Sequence, residues 1–219
     1  IMNPDFAIVL NFKLKSVENI DADFLVKTAR NIGARAISTN NENSVFKKAC
    51  KKYTIALVNE KNGSELTADN VINTMVENRK NGKNTVINIV VAENGKFDKT
   101  ITDMLDIINN WMHMFGHAFN EGKPSKLIVD QGGFVLENRH ANYQKYVFLR
   151  NPLPEEIIVS GLEQEPNRVE WIENRVDLKF NYQDQKLAIK LVEPDDKFEW
   201  QVLRIQAHRP EDDIIKTKF

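Results

Sequence analysis

The pattern that most constrains this chain is one that repeats four times and then stops. Short apolar runs alternate with helical stripes as far as Glu121-Gly122-Lys123-Pro124-Ser125, and beyond that point the patterning has a period of two. The first run, Phe6-Ala7-Ile8-Val9-Leu10, is continuous, as in a strand buried on both faces. Asp21 can cap a helix whose apolar positions Phe24, Leu25, Thr28, Ala29 and Ile32 fall three and four apart, and Gly33 supplies a left-handed stop. Residues 34–39 give a second strand, and Val45, Phe46, Ala49, Cys50 and Tyr53 a second stripe. Residues 54–59 give a third strand, followed by a helix capped by Thr67 that carries Val71, Ile72, Met75 and Val76 and stops near Gly82. Residues 85–91 give a fourth strand. Ile101, Met104, Leu105, Ile108, Trp111, Met112 and Phe115 form one face of a fourth helix.

Four βα units in a row predict a parallel sheet with right-handed crossovers. Four strands cannot close a filled barrel, which takes about eight. The strands read as apolar on both faces, so the second face needs a cover: helices, the C-terminal part of the chain or another subunit.

The second half predicts strands at 126–130, 134–138, 143–149, 156–160, 169–172, 177–180, 187–191 and 200–205, with Pro152, Pro154, Pro166 and Pro194 in the connections. Short strands at this spacing predict an antiparallel β-sandwich. The expected fold class is therefore α/β plus all-β, with an α/β domain over 1–122 and a sandwich over 123–219, in which 210–219 reads as a polar tail.

Charge narrows the partners. Thirty basic residues nearly balance thirty-one acidic ones, which argues against a nucleic-acid or anionic-membrane partner. A single cysteine, Cys50, allows neither a disulfide framework nor a cysteine zinc cage within one chain. There is no apolar run of about 18 residues and no basic-then-apolar start, so a cytoplasmic protein is expected. His113 and His117 are spaced for zinc on one helix face, but no third ligand is evident, and a surface or interface pair is the better reading. Gly132-Gly133 and Asn94-Gly95 read as turns rather than phosphate cradles. Trp111, Trp171 and Trp200 sit in apolar patterns and read as core. No cofactor or metal is implied.

Polar residues gather just after the expected strands of the first half. Asn11, Asn40, Asn41, Asn59 and Asn88 could hydrogen-bond sugar hydroxyls, though asparagine is also a common turn residue. Glu42, Glu60 and Glu93 could form a carboxylate pair on the same rim, or be solvated loop charges.

Several stretches resemble the alpha-L-fucosidase family of glycoside hydrolases. Residues 6–17, FAIVLNFKLKSV, are similar to that family's first barrel strand, FGIFIHWGLYSV. Asp21-Ala22-Asp23-Phe24, Ala29 and Gly33-Ala34-Arg35 resemble its DADEW…A..AGAKY helix and strand, and 49–53 the approach to the next strand. Residues 81–95, NGKNTVINIVVAENG, parallel NGNLLLNIGPTADG of the last barrel strand, and Trp111 follows as in the final helix. Asn151-Pro152-Leu153-Pro154-Glu155-Glu156 and Ser160-Gly161-Leu162 resemble the start of the family's C-terminal sandwich.

The resemblance implies a partial, half-barrel-like (βα)4 sheet in the order 4-1-2-3, because the last barrel strand neighbours the first. It also implies lost chemistry. Asn11 stands where the family has a sugar-contacting His, Thr39-Asn40-Asn41-Glu42-Asn43 replaces a His-His-Asp signature, and the strand carrying the nucleophilic Asp has no counterpart. A retaining glycosidase needs two carboxylates about 5–5.5 Å apart. The expectation is a non-catalytic relative with residual carbohydrate binding or a scaffolding role. The alternative is a hydrolase with a rebuilt or subunit-shared site. A homo-oligomer through the α/β domain would bury the sheet's bare face.

Overall fold

The computed structural model describes residues 5–40 and 44–207. The chain divides into two compact units, Ile1–Asn120 and Glu121–Phe219.

The first unit alternates as the periodicity predicts: β1 (Ile8–Leu14), α1 (Ala22–Asn31), β2 (Ala36–Thr39), α2 (Ser44–Tyr53), β3 (Ala56–Leu57), α3 (Val71–Lys80), β4 (Thr85–Val91) and α4 (Lys99–Glu121). The strands are parallel and lie in the order β3-β2-β1-β4, the expected arrangement. Pairing is uneven. β1 meets β4 over seven residues, whereas β2 meets β3 over two. The expected strand at 54–59 is thus shorter: Thr54 enters with φ 55°, and after Leu57 the chain leaves the sheet, of which β3 is the edge among the described residues.

The caps are local chemistry. Asp21 accepts from the Phe24 N–H at 3.0 Å and starts α1; Gly33, at φ 83°, follows its end. Gly33 is also a packing requirement, because a Cβ there would sit 2.8 Å from Met112 Cε of α4. The expected cap at Thr67 is corrected. The Asn70 side chain accepts from the Thr67 N–H at 2.8 Å, bracing a turn from which α3 starts at Val71.

Neighbouring helices are tied in the order α2-α1-α4-α3. Asp23 of α1 meets Lys52 and Tyr53 of α2, each at 2.7 Å. The Asn120 amide of α4 donates to Gly33 O at 3.1 Å. Arg79 of α3, buried, donates to the Phe119 and Asn120 carbonyls at 2.9 and 2.8 Å, satisfying groups that a helix end leaves unpaired. The helices therefore form one layer. Asn78 of α3 reaches Thr85 Oγ1 at 3.0 Å, which puts that layer on the face of β4 shared by Thr85, Ile87, Ile89 and Val91.

The second unit holds β5 (Gly122–Pro124), β6 (Ile128–Val129), β7 (Phe134–Asn138), β8 (Gln144–Arg150), β9 (Glu156–Ser160), β10 (Arg168–Trp171), β11 (Phe180–Gln183), β12 (Lys186–Lys190) and β13 (Trp200–Gln206). Two antiparallel sheets, β10-β13-β8-β7-β5 and β11-β12-β9-β6, share a core that includes Val147, Ile157, Val159, Trp171, Leu187, Ile189 and Leu203. The strand expected at 177–180 instead runs from Phe180, and β11 turns into β12 through Asp184 and Gln185, both at positive φ. That is the two-residue hairpin geometry, made here without glycine. All three tryptophans are buried, as expected, and His113 and His117 are exposed on α4. Among the described residues, no helix is long and apolar enough to cross a membrane.

Candidate functional site

In a parallel α/β sheet, loops at the carboxyl ends of the strands build the site. On the face of this sheet opposite the helices, register aligns one polar residue on each of three neighbouring strands: Ser38 on β2, Asn11 on β1 and Asn88 on β4. In a run of apolar strand residues these three stand out, and they are buried to 0, 0 and 8 % exposure.

Their partners come from the chain itself. After β3, residues 58–65 cross the sheet above this row. Val58 N–H donates to Ile37 O at 2.9 Å, and Glu60 N–H to Ser38 Oγ at 3.1 Å. Lys61 O then accepts from Asn11 Nδ2 at 3.3 Å and from Lys13 Nζ at 3.2 Å. Gly63 O accepts from Asn88 Nδ2 at 3.0 Å. Ser64 finally pairs with the outer edge of β4, donating to Val86 O at 2.8 Å and accepting from Asn88 N–H at 3.0 Å, as a one-residue parallel bridge opposite Ile87. The segment thus passes from β2 over β1 to the far side of β4.

The row is also knitted together sideways. Asn11 Nδ2 donates to Asn88 Oδ1 at 2.9 Å, and Asn88 Nδ2 to Glu65 Oε1 at 2.9 Å. Packing here leaves no slack: a Cβ on Gly63 would lie 2.1 Å from Asn88 Oδ1. One buried atom, Asn11 Oδ1, has no partner.

The other candidate residues fall elsewhere. Asn40 clasps the backbone of Leu14 at both ends, accepting from its N–H at 2.8 Å and donating to its carbonyl at 3.1 Å, and so extends the β1–β2 pairing by a side chain. Asn59 is exposed. Glu60 is half-buried and accepts from Asn62 N–H at 3.2 Å. Glu93 is exposed in the turn after β4, where its carbonyl accepts from Asn19 at 3.4 Å. Asn41 and Glu42 lie outside the described residues, as does the expected tail at 210–219. The backbone of Glu60 attaches over β2, and Glu93 follows the end of β4, two strands away in the sheet. Among the described residues, no cluster of three His, Cys, Asp or Glu side chains could hold a metal ion.

Sequence reading singled out Asn11 and Asn88 but missed Ser38, Lys13, Lys61, Gly63 and Glu65. Ser38 and Lys13 carried a signal, as polar residues in apolar strand runs. Lys61, Gly63 and Glu65 act mostly through where the chain passes, which no local pattern shows.

No family model matches the sequence, and no curated protein matches it. Solved structures do. A Thermotoga maritima alpha-fucosidase superposes with a TM-score of 0.66 at 10 % identity, covering 92 % of this chain and 96 % of that one. The same enzyme in complex with a mechanism-based inhibitor gives a TM-score of 0.54 at 14 % identity, over 84 % of this chain and 56 % of that one. A Bacteroides thetaiotaomicron alpha-L-fucosidase of family GH29, trapped as a covalent intermediate, gives 0.54 at 14 %, over 90 % of this chain. This chain spans only 42 % of that enzyme's length. The parallel sheet with its helices and the sandwich that follows have the fold of the alpha-L-fucosidases.

Proposed function

We propose that this chain is a non-catalytic alpha-L-fucosidase-like protein whose former sugar rim now holds the protein's own backbone. The supporting observation is the buried row Ser38–Asn11–Asn88, whose hydrogen bonds run to residues 58–65. Amides and a hydroxyl can position a chain or a ligand but do not shuttle protons as a general acid and base must. The row itself contains no carboxylate, and the carboxylate bonded to it, that of Glu65, is held by Asn88, whereas a retaining mechanism needs a pair.

Residual carbohydrate affinity belongs to the accessible part of the rim, at Asn59, Glu60 and Glu93. A cytoplasmic location and association through the α/β unit complete the proposal. The case for association is narrower than the bare sheet face implied, because Val9, Asn11, Ala36 and Ser38 on that face are already buried.

An aryl alpha-L-fucoside assay tests the reading, with no turnover expected. Turnover abolished by Glu60→Gln or Glu93→Gln would establish the alternative, a hydrolase with a rebuilt site. A thermal-shift screen against monosaccharides tests the ligand, and the absence of any shift would remove carbohydrate binding from the proposal.

A further inference from the structure

The sequence holds three Asn-Gly pairs, Asn62-Gly63, Asn81-Gly82 and Asn94-Gly95. Such a pair can rewrite its own backbone. The Gly nitrogen attacks the Asn Cγ, the new N–C bond closes a five-membered succinimide, and Nδ2 leaves as ammonia with the proton that the Gly nitrogen gives up. Water then opens the ring. Cleavage at the former side-chain carbonyl leaves aspartate; cleavage at the former main-chain carbonyl leaves isoaspartate, whose backbone runs through Cβ. The balance is one water in and one ammonia out. Glycine permits the attack because it has no Cβ in the way and restricts the backbone least.

In two of the pairs both reacting groups are occupied. At the end of α3, Gly82 N–H donates to Arg79 O at 2.9 Å and Asn81 Nδ2 to Glu77 O at 2.9 Å. In the turn after β4, Gly95 N–H donates to Ala92 O at 2.9 Å and Asn94 Oδ1 accepts from Lys96 N–H at 3.0 Å. These bonds have to break before either ring can close. Asn62-Gly63 differs. Asn62 is exposed, and among the described residues neither its side chain nor the Gly63 N–H has a hydrogen-bond partner. Other atoms hold this pair: Asn62 N–H donates to Glu60 Oε1 at 3.2 Å, and Gly63 O accepts from Asn88 Nδ2 at 3.0 Å. The close approach to Asn88 Oδ1 admits only glycine at 63, so the contact that seats the segment also keeps beside Asn62 the residue that attacks it.

We propose that Asn62-Gly63 is a modification site at which the folded chain converts Asn62 to aspartate and isoaspartate, and that the isoaspartate product loosens residues 58–65 from the row Ser38–Asn11–Asn88. Asn62 lies between two anchors of the segment, Lys61 O on Asn11 and Gly63 O on Asn88. Those anchors match side chains on adjacent strands, about 4.8 Å apart. Isoaspartate inserts one extra main-chain carbon between them. Either product also adds a negative charge between Glu60 and Glu65 in the sequence.

The test is peptide mapping by mass spectrometry of the full chain aged in warm, mildly alkaline buffer, folded and in denaturant. Each pair's folded rate of amide-to-acid conversion is divided by its rate in the denatured chain, so that local sequence cancels. The ratio should be about tenfold higher at Asn62 than at Asn81 or Asn94, the factor that a lost hydrogen bond or two is worth. Equal ratios at the three pairs, or an Asn62 that stays intact while the denatured chain converts, overturns the proposal. Hydrogen exchange tests the consequence. The Ser64 amide, bonded to Val86 O, should lose protection by about tenfold in the aged wild type. It should lose none in Asn62→Gln aged alongside, because glutamine has to close a larger and slower ring, and the variant keeps every hydrogen bond of the segment. Unchanged protection in a chain converted at Asn62, or an equal loss in the variant, overturns the loosening.

Discussion

Two loops in this molecule are held down by side-chain hydrogen bonds, and they are held in different ways. Residues 58–65 lie on a row of neutral groups, two amides and a hydroxyl, aligned by the register of a parallel sheet. Residues 191–199 are gripped by one amide and one carboxyl, and two same-sign neighbours stand close by. The first arrangement is set by the sheet's own register, with the charged groups Lys13 and Glu65 bonded at its margins. The second joins the loop to a turn through Glu173 and to a strand through Gln201. Comparable backbone bonds can thus be anchored either by strand register or from a neighbouring turn.

The comparison can be broken most forcefully at Gly63. Glycine is needed there for space rather than for an unusual backbone angle. Gly63→Ala drives a methyl into Asn88 Oδ1 and should cost about 3 kcal/mol in denaturant unfolding. A cost near zero would show that the segment does not press on the row as described. Next comes Asn88, which joins Asn11, Gly63 and Glu65. Asn88→Leu should cost about 2 kcal/mol in denaturant unfolding. A variant as stable as the wild type would show that the row does not carry the hold on the segment. The smallest effect belongs to Asn40, whose two bonds reach a partly exposed backbone. Asn40→Ala should lower stability by about 1 kcal/mol and leave residues 58–65 as protected from hydrogen exchange as before.

Much of the fold is legible in the sequence because it is written in local periodicity. The helical stripes, the Asp21 cap, Gly33 and the β7 and β9 boundaries all follow from residues within a few positions of each other. The strand order followed from the resemblance rather than from any local pattern. Thr67 misled because a nearby asparagine offered the better acceptor. The turn at Asp184-Gln185 was hidden because it adopts positive φ without glycine. The candidate site was legible only as isolated letters. Asn11 and Asn88 stood out as amides in apolar runs, 77 positions apart, yet nothing local says that they meet or that Lys61 and Gly63 lie over them. Asn40 looked like its neighbours in the rim but serves the backbone of β1 instead.

The single bridge between Ser64 and Ile87 has a consequence for how this protein behaves in a crowd. A closed barrel has no free strand edges, whereas an open sheet has two, and each free edge is a template on which another chain can build. Here one edge is β3, two residues long, and the other has Ser64 laid against its middle. Neither presents a long ladder of unmet donors and acceptors. The parallel sheet of the first unit thus offers a second chain little edge on which to extend it.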